Sequence, residues 1–321
     1  MREASFLSKN EKKWRKVESI LEKESKVSPD ESANLFVSLT NDLSYARTHY
    51  PESITTRYLN SLTARIFQQI NVGRREKFSR IYKFWKYELP MVVARHHKKM
   101  LWVFLYFVTC VAIGVISTHY DETFPRVVLG DRYVDMTLEN IANGDPMGVY
   151  KHTSSNPMFL YITYNNIRVA GYIFIGGLLA SLGTYYFLFT NGVMLGTFQY
   201  FFVQKGLFLS SFLTIWIHGT LEISSFIIAG TAGVVLGNSL LYPGSYPRKT
   251  SLVFGAKEAL KILIGIIPLI IFSAFLESFI TRLTNSPALV KGGIILASLC
   301  FVIWYFILYP RKLRTKQLVK S

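Results

Sequence analysis

From Leu207 to Leu241 the chain is almost wholly apolar, and a run of that length leaves little choice of fold. More than about 18 such residues read as a membrane-crossing segment. In lipid no water satisfies the backbone, so a crossing segment of this kind must be a helix. Two ionisable residues, His218 and Glu222, interrupt the run. An acid within a span costs roughly 2.5–3.5 kcal/mol unless it meets a partner or water. With about 3.6 residues per turn, His218 and Glu222 project from one face. That face is expected to look into the protein rather than at lipid. Glu277, a third polar group of this kind, closes a second apolar run, Ile262 to Leu276.

Half of the 321 residues are hydrophobic, and they concentrate after position 100. This asymmetry argues for a polar N-terminal region joined to an all-α, polytopic membrane bundle over residues 100–310. Further spans are expected at Leu101–Ser117, Ile167–Asn191, Ile262–Ile280 and Gly292–Tyr309. A short apolar segment, Gly192–Val203, is expected to cross as a short helix, which brings the count to six. The net charge of +16 is explained by the Lys and Arg that membrane proteins gather on their cytoplasmic face, so nucleic acid is not expected as a partner. Arg248, Lys249, Lys257 and Lys261 form one basic loop, and residues 311–321 form a basic tail. The loop from His119 to Tyr164 holds six acids against three Lys or Arg and is expected outside, with both termini cytoplasmic. Cys110 and Cys300 both fall within spans and imply no disulfide. Met1 to Ser28 is charged, lacks a continuous apolar core and does not read as a signal peptide.

Residues 1–73 read as a three-helix cytoplasmic cap. Ser28-Pro29-Asp30-Glu31 and Tyr50-Pro51-Glu52-Ser53 place a proline and an acid at two helix starts. Leu35, Leu39, Leu43 and Ala46 recur at helical spacing, as do Tyr58, Leu62, Ile66 and Ile70. Residues 74–99 form a basic elbow, with nine Lys or Arg against Glu76 and Glu88. Lys77, Arg80, Lys83, Trp85 and Lys86 are its candidates for contact with a bilayer of anionic headgroups. Pro90 is expected to bend it.

Several strings, in order along nearly the whole chain, resemble the stage II sporulation protein M family. In the cap these are Asn41-Asp42-Leu43-Ser44-Tyr45-Ala46-Arg47-Thr48, Tyr50-Pro51 and Tyr58-Leu59-Asn60. Asn165-Asn166-Ile167-Arg168-Val169-Ala170, Asn191-Gly192 with Gly196, His218-Gly219 with Glu222, and Glu277-Ser278-Phe279 follow. Ile217 departs from the pattern, which has proline before the His. The resemblance implies a bacterial inner-membrane protein that acts as a scaffold for envelope or cell-wall-associated proteins. It does not by itself imply sporulation, since the family extends to bacteria that do not sporulate.

Three readings of the polar residues stand at this point. Asn166, Arg168, Asn191, His218, Glu222 and Glu277 could tie the spans together through interhelical hydrogen bonds, with Arg168 and Glu277 as an ion pair. Intramembrane acids and His also make ion or proton pathways, the signature of a transporter, channel or lipid-handling protein. His218, Glu222 and Glu277 could supply three metal ligands, although the full zinc-hydrolase helix motif is absent. Gly171, Gly176, Gly177, Gly183, Gly230, Gly233 and Gly237 either permit close helix contact or line a cavity. There is no phosphate-binding loop, nucleophile elbow or nucleotide signature, so neither an enzyme nor a cofactor is expected. A homo-oligomer is compatible with the pattern and not specified by it.

Overall fold

The computed structural model describes residues 2–22, 29–72, 79–150, 154–283 and 286–318, and among these every regular element is helical. The chain divides into two compact units, Met1–Tyr82 and Lys83–Ser321.

In the first unit, α1 (Glu3–Glu22), α2 (Pro29–His49) and α3 (Ile54–Val72) fall where the sequence punctuates them. Ser53 accepts the Thr56 N–H at 3.1 Å and so caps the start of α3. The periodic positions Leu39, Leu43, Ala46, Leu62 and Ile66 are buried, and α1 adds Phe6, Trp14 and Val17 to the same core. Polar anchors flank it. The Trp14 indole donates to Asp42 Oδ2 at 2.8 Å, and the Thr55 hydroxyl donates to Glu3 Oε1 at 2.6 Å. Lys77 and most of the elbow's first turns lie outside the described residues.

The second unit is built, from Lys83 onward, on the rest of α4 (Arg80–Tyr120) and on α5 (Phe124–Leu129), α6 (Asp131–Ala142), α7 (Ser155–Ile175), α8 (Leu182–Gln204), α9 (Phe208–Leu241), α10 (Arg248–Thr281) and α11 (Ala288–Thr315). By length and composition α4, α9, α10 and α11 can each cross a membrane. The apolar window of α9 is 83% buried against 11% for α11, so α9 is the central post. A helix apolar all round is expected at that position.

Side-chain contacts fix the helix directions. The Tyr106 hydroxyl donates to Tyr185 O and Gln204 Nε2 donates to Thr118 O, both at 3.1 Å, so α4 and α8 run side by side in the same sense. At the start of α10, Lys261 pairs with Glu88, and Glu258 pairs with Arg95 and His96, at 2.7–2.8 Å. At its far end Arg282 donates to Ser155, and Phe279 packs on Phe159 near the start of α7. One face of the unit therefore gathers Tyr120, Ser155, Gln204, Phe208 and Thr281. The opposite face gathers Leu89, Ile175, Leu182, Leu241 and Arg248.

Two expectations need correction. The span Ile167–Asn191 is not one helix: α7 stops at Ile175, a tight turn covers Gly176–Leu178, and Ala180 and Ser181 take left-handed φ values of 52° and 67°. The reversal is held by backbone proximity. A methyl on Gly176 would stand 2.6 Å from Thr184 N, and one on Gly177 would overlap the Gly233 carbonyl of α9. Ser181 N–H also donates to Gly177 O at 3.0 Å. Left-handed geometry costs about 1–2 kcal/mol for each such residue, and the close contact of three helices offsets it. Consequently Gly192–Val203 is no separate short segment but the second half of α8.

The elbow departs from regular α geometry before Pro90 rather than at it. Residues Phe84–Glu88 form a wide π turn, closed by the Leu89 N–H on Phe84 O, and the regular helix resumes at Leu89. Proline has no N–H to give a preceding carbonyl. Two tyrosines of α11 supply the missing donors, Tyr305 OH to Trp85 O at 2.6 Å and Tyr309 OH to Lys86 O at 2.8 Å. Trp85 is half-buried with its indole directed at Gly265 O, 3.4 Å away, and Lys86 is also half-buried. Arg80 and Lys83 are exposed.

Candidate functional site

His218 sits on the third turn of α9, buried to 4% exposure, with Glu222 one turn further along. Facing them is the end of α10, where Glu277 opens a second π turn, Leu276–Thr281. One ligand atom each from His218, Glu222 and Glu277 lies within 4.8 Å of the others. His218 Nε2 is 3.8 Å from Glu277 Oε1, and Nδ1 is 3.0 Å from Thr281 Oγ1. The Thr281 hydroxyl donates its single proton to Leu276 O at 3.2 Å, so it accepts from the ring. In the tautomer protonated at Nδ1, Thr281 accepts from the ring and the Nε2 lone pair turns toward Glu277.

The π turn makes this grip geometrically consistent. Ser273 Oγ donates to His218 O at 3.1 Å, while Thr281 holds the ring of the same residue. Eight residues along a regular helix end about 80° out of phase at roughly 100° each. The extra residue absorbed by the π turn brings Ser273 and Thr281 back to within about 20° of one another. Both can then meet His218.

Other polar atoms lie at this level. Ser278 is fully buried, and its Oγ has no hydrogen-bond partner. The same holds for Thr163 Oγ1 and for Asn166 Nδ2 on α7, where Asn166 is 4% exposed. α7 is anchored near the end of α10 by Ser155–Arg282 and beside Gly233 of α9 by Gly177. This register sets Thr163 and Asn166 within about one turn of Glu222, since matched helices advance equally per residue. One turn before His218, Thr214 receives a long bond, 3.4 Å, from the buried Lys291 of α11.

The six residues expected to form one network therefore separate. His218, Glu222 and Glu277 come together, and Asn166 lies in the adjoining seam. Asn191 bonds within its own helix, to Phe187 O at 2.8 Å. Arg168 is exposed, donates to Asn165 at 3.0 Å and lies over the Tyr164 ring, and among the described residues it forms no ion pair with Glu277. Sequence reasoning missed Ser273, Ser278, Thr281 and Thr163. These small hydroxyl residues carry no signal until a partner helix gives them a phase.

Chemically, one imidazole nitrogen and two carboxylates converge between two helices, with the imidazole oriented from behind by a hydroxyl. Such a set can share protons or hold a divalent ion.

Comparison with known families places two matches on the chain. The family described as stage II sporulation protein M matches residues 103–282, more than half of the chain, and the match contains every member of the cluster. A domain of unknown function, DUF8413, matches residues 4–71, the three-helix unit. Neither curated proteins nor solved structures give a match.

Proposed function

Since this chain belongs to the stage II sporulation protein M family, we propose that it is a bacterial inner-membrane scaffold that organises envelope partner proteins around a six-crossing domain. The observation that carries this reading is the division of the chain into two units, each with its own hydrophobic core. A small helical unit with a finished core is a docking module by construction, and a glycine-packed membrane unit supplies a rigid base. α7 and α8 complete the set of crossings, because α4, α7, α8, α9, α10 and α11 run alternately between the same two faces. The face with Arg248, Lys249 and Lys257 is assigned to the cytoplasm, and the face with Asp121, Glu122, Asp131 and Asp135 to the exterior. The exposed Lys83 then lies at the height of cytoplasmic anionic headgroups.

Two measurements test the reading. Cysteine labelling in cells should find Asn140→Cys reactive from outside and Thr250→Cys only from inside, and the reverse would refute the topology. Photocrosslinkers at exposed cap positions Val37 and Ile54 should trap the same envelope proteins in intact membranes. Ion flux or lipid transfer by the purified protein in vesicles, abolished by Glu222→Gln, would replace the scaffold with a transport function.

A further inference from the structure

We propose that His218, Glu222 and Glu277 form a binding site for one divalent first-row transition metal ion, buried between α9 and α10. This site goes beyond the scaffold reading and does not depend on it.

Four observations converge. The first is ligand geometry: one atom from each of the three residues lies within 4.8 Å of the others. Tetrahedral zinc, with bonds of about 2.0–2.2 Å, needs its ligands roughly 3.3 Å apart. His218 Nε2 and Glu277 Oε1 stand at 3.8 Å, so a small side-chain rotation closes the gap. The second is the state of the imidazole. With its hydroxyl donating a hydrogen bond to Leu276 O, Thr281 can accept from Nδ1, and that tautomer leaves the Nε2 lone pair directed at the carboxylates. Metal-binding histidines are oriented in this way, the far nitrogen donating to an outer acceptor.

Third, the charges balance. Two carboxylates and a dication sum to zero, and a neutral cluster suits a site with low-dielectric walls better than two bare anions. The mix of one nitrogen and two oxygen donors suits zinc, manganese or iron(II) better than soft copper(I), which selects sulfur. Fourth, Asn166 Nδ2 and Thr163 Oγ1, buried and without a hydrogen-bond partner, lie on α7 at about the height of Glu222 by the helix register. The ion's remaining ligand position is open to water.

The test uses the full chain in detergent, stripped with a chelator and titrated with Co2+ and then Zn2+. One Co2+ per chain should bind with a visible absorption band, and Zn2+ should displace it. Glu277→Gln and His218→Ala should lose that stoichiometric ion while eluting as the parent does in size exclusion. Glu258→Gln, at the opposite face, should retain it. Thr281→Val should weaken affinity by about 10–100-fold, as loss of an outer partner does. Glu277→Cys should restore binding and add a thiolate-to-cobalt charge-transfer band, which a purely structural role for Glu277 would not produce. A parent protein that takes up no more metal than Glu277→Gln would overturn the proposal and mark the cluster as a proton-sharing one. So would a Glu277→Cys protein that binds cobalt with no such band.

Discussion

Gly177→Ala adds a single methyl group at the point where the α7–α8 reversal touches α9. A methyl there overlaps the Gly233 carbonyl oxygen and stands 2.9 Å from both its Cα and its carbonyl carbon. Carbon atoms rest at about 3.5–4.0 Å, so the two backbones must part by roughly 0.6–1.1 Å. Neither backbone can yield alone. Gly233 is also pressed by Thr184 and Ile173 O, and Gly237 one turn on is pressed by Ser181. Overpacking of this kind costs about 1–3 kcal/mol. Gly171→Ala, on α7 just before the reversal, is the control. A methyl there meets nothing within 4 Å, and Ala gains about 0.5–1 kcal/mol over Gly in a helix interior. Thermal unfolding in detergent should therefore lower the midpoint for Gly177→Ala, by about 2–4 °C per kcal/mol for a chain of this size, and leave Gly171→Ala level or raised. Equal midpoints for the two variants would show that α7 and α9 do not meet backbone to backbone.

Residues 1–72 expressed alone should fold as a cooperative helical unit by circular dichroism. Within it, Asp42→Ala should cost about 1–3 kcal/mol by stranding the buried Trp14 N–H, against less than about 1 kcal/mol for Lys13→Gln. The double variant Tyr305→Phe with Tyr309→Phe should lose about 0.5–1.5 kcal/mol per bond and loosen the Phe84–Glu88 turn, read as faster amide exchange there. The Asp121 carboxylate is held below its ordinary value of 3.8 by hydrogen bonds from the Thr123 hydroxyl and then its N–H, against a smaller opposing effect of burial. A depressed value stabilises the fold above pH 3.8 and ceases to do so as pH falls through the folded value. The Thr123 amide resonance should therefore titrate with a midpoint below pH 3.8, and Asp121→Asn should abolish that movement.

The elements that a single helix's composition determines were legible in the sequence. The Leu207–Leu241 run is α9, the paired prolines mark α2 and α3, and the phase of Leu39, Leu43, Leu62 and Ile66 foretells the cap core. His218 and Glu222 at one-turn spacing, and Glu277 opposite, stood out because charge in an apolar run is costly. The reversal at Gly176–Ser181 was not legible, since Ala180 and Ser181 are poor markers of left-handed backbone and the apolar pattern continues through them. The three π turns, Phe84–Glu88, Leu276–Thr281 and Trp304–Leu308, also leave no periodic trace. Each shifts the helical phase by one residue, so Thr281 and Ser278 were assigned to no face. Asn191 and Arg168 misled for the opposite reason, being conspicuous polar residues whose bonds are local.

The π turn at Leu276–Thr281 holds one residue more than a regular helix needs for the same phase along α10. Were this stretch to wind as a regular helix with every residue kept, no named ligand would be lost. Everything downstream would then rotate by about 100° against everything upstream. Ser273 would keep its bond to the His218 carbonyl, while Thr281 would swing off the ring and Arg282 off Ser155. Helix winding thus matters here as much as residue identity does. A chain with one residue fewer between Glu277 and Thr281 would reach the same phase by a regular helix, since seven residues at about 100° leave Ser273 and Thr281 within about 20° of one another.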